Sequence, residues 1–292
     1  MQIIELSDHT GEMKRQAENA RREAYQTAYR NYEDGVAERQ AQSEKLRKAS
    51  RQAFRKGHLL SWAGTLLKRA AHALSARPRK PVMQRASERE QIWAAGNAGE
   101  AQVARLLADR LGDDWTLLSG YHNRGGEIDQ ILVGPDTIIA MEIKNTNGTV
   151  HCNGRQWWRD KYDKYGNCLQ IGVPMRDKRG RSPADQVNDS ANRLESFLKK
   201  RLGGDVRITR WIVLTHPRAQ VGQMQSLPIH LVLTLNVLAK LDAQAIAQDS
   251  SIASGASPDD ATKLIVKDHE FQNKKRREAR RKKRRPRAKA AG

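Results

Sequence analysis

The sequence predicts an α/β core carried behind a long α-helical N-terminal extension and ahead of a disordered, basic C-terminal tail. Three observations predict it. Residues 9–57 hold no proline and are rich in Ala, Arg, Glu and Gln at helical spacing. From about residue 90, β-rich runs alternate with helical periodicities. From Lys274 to Lys289 there are 12 basic residues and one acid, Glu278, a charge density too high to fold alone. The implied segments are a helical extension over 1–76, a linker over 77–90, an α/β domain over 91–248, and a linker and basic tail over 249–292.

In the extension, Ala17, Ala20, Ala24 and Ala28 fall on one helical stripe with Tyr25, Tyr29 and Tyr32 beside it. This reads as one long helix, or two split near Asp34-Gly35. Coiled-coil pairing, and a homo-oligomer built through these helices, is open to it, although the stripe is Ala and not Leu or Ile. Over 58–76, Leu59, Leu60, Ala63, Leu66, Leu67, Ala70, Ala71 and Leu74 make a wide apolar face, with Lys68, Arg69 and His72 off it. That face suits a helix packed on a partner surface, or a helix lying on a membrane surface. Arg77-Pro78-Arg79-Lys80-Pro81 then stops it.

In the α/β part, a helix carries Ile92, Val103, Leu106 and Leu107, and Trp115–Ser119 reads as a strand. Gly126–Val133 and Thr137–Lys144 are strands joined by the turn residues Gly134-Pro135-Asp136. Ser182-Pro183-Ala184-Asp185 is a helix start, with Ser as cap, and Val187, Ala191, Leu194 and Leu198 form that helix's inner stripe. Val206–Leu214 and Ile229–Leu235 read as strands, followed by a helix through Leu238, Leu241 and Ile246. Residues 249–262 read as linker.

Bulk numbers bound the function. The 292 residues are 38% apolar, so part of the chain does not bury a core. Lys plus Arg number 53 against 33 acids, a net +20, which points to a polyanion or an anionic membrane surface. Two cysteines, Cys152 and Cys168, exclude a disulfide framework, and without a paired Cys-x-x-Cys they do not suggest zinc. No run of 18 apolar residues reads as a membrane span, and Met1–Glu5 does not read as a signal peptide.

Side chains alternate along strands. Glu142 and Lys144 therefore share one face of a strand, and Glu127 and Asp129 one face of its hairpin neighbour. Three carboxylates crowded at the ends of apolar strands repel one another and lose hydration, penalties that a divalent cation removes. Mg²⁺ suits such oxygen donors, with Mn²⁺ as a substitute, and Lys144 would orient water or pair with phosphoryl oxygens. Glu100 falls on the apolar face of its helix, as a further ligand or as an acid complementing the helix dipole. Trp157 and Trp158 would stack on bases, or fill the core.

The runs Gly96-Asn97-Ala98-Gly99-Glu100, Gly125-Gly126-Glu127-Ile128-Asp129-Gln130-Ile131 and Met141-Glu142-Ile143-Lys144-Asn145, followed by Ser182-Pro183-Ala184-Asp185-Gln186, resemble the nuclease-related domain (NERD) of the PD-(D/E)XK nuclease superfamily. The resemblance covers about residues 93–200. It implies a restriction-endonuclease-like core, a mixed sheet flanked by helices. It implies metal at Asp129 and Glu142 with Glu100 as a helix-borne acid, Lys144 as the catalytic lysine, and Gln186 positioning water or phosphate. It also favours a bacterial source, while the two cysteines and the lack of a signal-peptide pattern favour a reducing, cytoplasmic location. Pro135-Asp136 matches the letters of the superfamily motif but sits in a turn, so Asp129 is preferred.

The expected function is a metal-dependent nuclease acting on nucleic acid, DNA ahead of RNA. Arg124, Trp157 and the tail residues Lys274, Lys275, Arg276, Arg277, Arg280, Arg281, Lys282, Lys283, Arg284 and Arg285 are the candidate nucleic-acid contacts. The alternative is a non-catalytic nucleic-acid-binding or scaffold protein with a nuclease-like fold. For the tail, membrane-surface contact and simple solubilisation stand beside nucleic-acid binding.

Overall fold

A computed structural model describes residues 1–248 and 257–284. The elements run β1 (Gln2–Glu5), α1 (His9–Arg55), α2 (Leu59–Leu74), α3 (Glu88–Ala108), β2 (Thr116–His122), β3 (Glu127–Gly134), β4 (Thr137–Lys144), β5 (Gly148–Asn153), β6 (Gln156–Tyr162), β7 (Cys168–Pro174), α4 (Pro183–Leu202), β8 (Thr209–Leu214), β9 (Ala219–Gln225), β10 (Leu231–Thr234), α5 (Leu235–Leu238), α6 (Ala243–Ala247) and α7 (Pro258–Arg284). Packing divides them into two units. Met1–Glu12 joins the chain from Ile92 onward, and Met13–Gln91 forms the other.

The α/β unit is built on a six-stranded mixed sheet ordered β1-β2-β3-β4-β8-β10. Both faces are covered, so its central strands are apolar almost throughout. Ile138 and Ala140 of β4 face α4 and α7, while Ile139, Met141 and Ile143 face α3, α5 and α6. The expected inner stripe of α4 is fully in place, with Val187, Ala191, Leu194 and Leu198 buried. Its start is the expected one too: Ser182 caps Asp185 N, and the Asp185 carboxylate returns the bond to Ser182 N.

A second sheet, ordered β7-β6-β5-β9, fills the connection between β4 and β8. Its strands are polar or irregular, with register shifts in β5 and β6, and no clean alternation marks them in the sequence. The strand β1, paired parallel to β2, is likewise too short to show a pattern. The single helix expected through Leu238, Leu241 and Ile246 is two short ones, each capped by a side chain: Thr234 for α5 and Asp242 for α6.

The largest departure is at the C-terminus. Helix α7 begins at Pro258, inside the stretch read as linker, and continues through the basic run as far as Arg284. Ser257 Oγ caps it by accepting from Asp260 N. Ala261 and Ile265 are buried against the sheet, and the stripe continues with Asp268 and His269. Tyr121 Oη donates to Asp268 Oδ2, and His122 N donates to His269 Nδ1 at 3.1 Å. Burial and the Asp268 carboxylate push the Tyr121 phenol up, so it stays a donor. Net charge concealed this helix, because its docking stripe is narrow and, beyond Ile265, made of the polar residues Asp268 and His269.

In the other unit, α1 is unbroken through Gly35. It packs antiparallel to α2: Phe54 lies tilted against Trp62 with ring centroids 5.8 Å apart, and Arg39 reaches the far end of α2. Arg39 donates to His72 O at 2.8 Å, Ser75 Oγ at 2.9 Å and Ala76 O at 3.0 Å, a cation at the C-terminal end of the helix. Residues 77–87, read as a linker, instead run back along α1. Pro78 lies over Gly35, Lys80 over the Tyr29 ring, and Arg21 pairs with Glu90 at 2.6 Å. Among the described residues no helix is long and apolar enough to cross a membrane.

If α7 is an integral part of the core, Ile265→Ala lowers unfolding stability by about 2–5 kcal/mol. Urea denaturation checks this, and a change near zero would mean a solvated helix.

Candidate functional site

The β3–β4 hairpin pairs from Gly134–Thr137 to Gln130–Met141 and stops there. The next positions are Asp129 and Glu142. Here Ile143 N donates at 2.6 Å to Asp129 Oδ2, so a carboxylate replaces a strand carbonyl as the acceptor. Strand β4 stays regular against β8 as far as Lys144–Leu214, which holds Glu142 and Lys144 rigidly. Pro135 and Asp136 occupy the hairpin turn, as expected.

Glu142 is 4% exposed and meets Lys144 Nζ at 2.5 Å. The same ammonium donates to Gln186 Oε1 at 3.1 Å. Gln186 lies in the first turn of α4, and its Nε2 donates to Ser182 O at 3.3 Å and Arg181 O at 3.4 Å, which turns its oxygen toward Lys144. Glu142, Lys144 and Gln186 thus form one network. Asp129 stands next to it, half-buried. Burial, then Glu142, push the Asp129 carboxyl well above the usual range; Glu100 adds to this, while Lys144 and Ile143 N hold it back. Burial works to lower the Lys144 ammonium, but Glu142, Asp129 and the more distant Asp177 outweigh it and raise the pKa, so Lys144 is a firm cation.

Glu100 comes near through the packing of α3. Gln130 Nε2 donates to Glu100 O at 2.8 Å, and Asn145 Nδ2 to Ala95 O at 3.0 Å. Gly99 lets the helix approach the end of β8, since a Cβ there would lie 2.5 Å from Thr215 Oγ1. Gly125 has the same role on the opposite side: a Cβ would lie 2.3 Å from Asp189 O of α4. The glycines of both motifs are therefore close-approach residues.

Among the described residues no group of three or more His, Cys, Asp and Glu forms a ready-made metal cage. The donor set is smaller: two carboxylates, Asp129 and Glu142, backed by the charge of Glu100. It fits a hard divalent cation that retains waters. The observation behind the fit is Asp129 itself, a partly open acid opposed in its ionisation by two neighbouring acids.

Glu127, expected on the face of Asp129, lines a different cavity of about 530 Å³ with Arg124, Arg179, Lys275 and Arg276. Arg124 also borders a second cavity of about 830 Å³ along α4, with Arg193 and Lys200. The structure thus brings Arg124, Lys275 and Arg276 together from distant parts of the chain. Lys274 and Arg277 are exposed on the same helix, Arg280 to Arg284 continue it, and Arg285 lies outside the described residues. Trp157 is a correction: it is 3% exposed within the core and offers no stacking face. Trp158 is already stacked on His151, at 5.5 Å and 3°. Cys152 is buried and Cys168 exposed. The sequence reading passed over Asp177, Arg179 and Arg181. Asp177 accepts from Arg179 N and Arg181 N, and Arg181 reaches Gly125 O at 3.3 Å, tying the two glycine-rich and capping segments together. The signal was the run Asp177 to Gly180 just ahead of the capping Ser182, a turn signature.

An acid pair with a lysine on the next alternate position thus stands at the ends of the central strands of an α/β domain. Residues 95–215 match the family model of the nuclease-related domain. The match takes in Glu100, Asp129, Glu142, Lys144 and Gln186, and ends before β9, β10 and α7. No curated protein and no solved structure matches the chain.

The Asp129 carboxyl is raised, so its charge opposes folding as pH rises above the ordinary carboxylate range. Asp129→Asn keeps an acceptor for Ile143 N and removes that charge. In metal-free buffer the variant is expected to melt a few degrees above wild type at pH 7, the gap narrowing as pH falls toward 4. An equal or lower melting temperature at pH 7 would rule out crowding at Asp129.

Proposed function

We propose that the α/β unit is a metal-dependent nuclease that hydrolyses phosphodiester bonds, with DNA as its principal substrate. The observation that supports this best is the Glu142–Lys144–Gln186 network beside a raised Asp129. A purely binding surface has no use for crowded acids facing a polyanion.

Asp129 and Glu142 would hold Mg²⁺ or Mn²⁺, with Glu100 adding negative charge behind them. When bound, the ion would supply Lewis-acid stabilisation and a more acidic water. Lys144 holds its protons firmly, so it acts as a hydrogen-bond donor and point charge toward a phosphoryl oxygen or the attacking water, and not as a base. Gln186 accepts one Lys144 proton and fixes the direction of the others. The Arg124 cavities would carry the phosphate backbone, and the net +20 would raise the local concentration of nucleic acid without choosing sequence.

The decisive experiment is cleavage of plasmid and linear DNA, and of RNA, with Mg²⁺, Mn²⁺ or EDTA. Wild type is expected to cleave DNA only with metal. Glu142→Gln and Lys144→Ala are each expected to lose about 100-fold or more, with unchanged circular dichroism. Binding without cleavage under all conditions would instead favour the second reading, a non-catalytic nucleic-acid-binding module, which the separation of the basic cavities from the acid pair supports.

Separately, Arg124→Ala and Arg276→Ala should each weaken DNA binding across sequences and reduce the slope of log K against log salt by about 1. An unchanged slope in both would remove these cavities from the interface.

A further inference from the structure

Helix α2 buries one side only in part and leaves its apolar side open. Leu66 and His72 are half-buried on the side toward α1, and no α2 residue is fully buried. Leu60, Leu67 and Leu74, two turns apart on one stripe, are 92%, 73% and 87% exposed, and Leu59 beside them is open as well. Phe54 at the end of α1 and Val82 of the returning strap add to the exposed apolar groups of the same unit. A patch of this kind marks an interaction site.

The charge around it selects the occupant. From Lys45 to Ser87 the chain has 12 lysines and arginines and no aspartate or glutamate. Lys56, Lys68, Arg77 and Arg79 are exposed around the helix and its two ends. A second copy would bring the same predominantly cationic segment against this one, and like charges around an interface oppose association. Nucleic acid would answer the charge but leave the leucines in water. An anionic lipid surface answers both, with acyl chains for the leucine stripe and headgroups for the basic rim.

We propose that the exposed face of α2 docks on an anionic lipid surface, the helix lying in the interfacial plane without crossing it. The test uses the full-length protein in flotation with phosphatidylcholine vesicles, with and without phosphatidylglycerol. The variant is Leu60→Gln/Leu67→Gln/Leu74→Gln, which changes exposed positions only and keeps every charge, including the C-terminal basic run. Wild type is expected to float with the anionic vesicles and not the neutral ones, and the triple variant to partition at least ~10-fold less. Flotation of the variant equal to wild type would assign attachment to charge alone and overturn the proposal, as would equal flotation with both vesicle types or none with either. Sedimentation showing a wild-type dimer that the variant abolishes would give the face to a second copy, and overturns it too.

Discussion

The site depends on where the β3–β4 ladder ends. One residue pair beyond Gln130–Met141, the backbone stops pairing with backbone and a carboxylate takes over as acceptor for Ile143 N. That switch holds Asp129 beside Glu142, where like charges oppose each other, and Lys144 on the same face of β4 and the Ile143 N–H relieve that opposition in part. Everything else supports this juxtaposition. Strand β8 keeps β4 straight, α4 presents Gln186 to the lysine, and α3 brings Glu100 in behind. The acids are held by a rigid apolar sheet and cannot swing apart, so their repulsion persists in the folded state.

The two close-approach glycines show how the sheet and helices are held to this geometry. Gly99 and Gly125 lie on opposite sides of the site, one beneath Thr215 and one against Asp189. Gly99 leaves room for the Thr215 side chain and Gly125 for the Asp189 backbone, and a methyl group at either would crowd α3 or α4 against that neighbour. The Asp177–Arg181 turn closes the same region from a third direction, joining Gly125 O to the start of α4.

Much of this was legible in the sequence where one physical rule dominated. Apolar β-rich runs and turn residues located β3 and β4, and the Ser182 cap with Val187, Ala191, Leu194 and Leu198 located α4 and its buried side. Asp129, Glu142 and Lys144 could be grouped because strand periodicity fixes directions, whereas Gln186 joined them only through the family resemblance. Glu127 was grouped with them by the same alternation, but lines another cavity. The second sheet was not legible, because its polar, shifted strands carry no period. Helix α7 was hidden because its net charge obscured a narrow stripe of Ala261, Ile265, Asp268 and His269. Trp157 shows the remaining difficulty: a tryptophan in a polar stretch reads equally as a stacking platform or as core, and only the packing decides.

The bonds from Tyr121 and His122 to α7 have a mechanical consequence. They clamp the helix to a sheet strand at Asp268 and His269, so the cationic stretch beyond Arg276 continues as a cantilever with a fixed root. At 1.5 Å rise per residue, the eight residues from Arg277 to Arg284 would extend roughly 12 Å in one direction. A charge-bearing lever differs from a loose tether: its leverage is set by the anchor, and a force on its tip is delivered to β2.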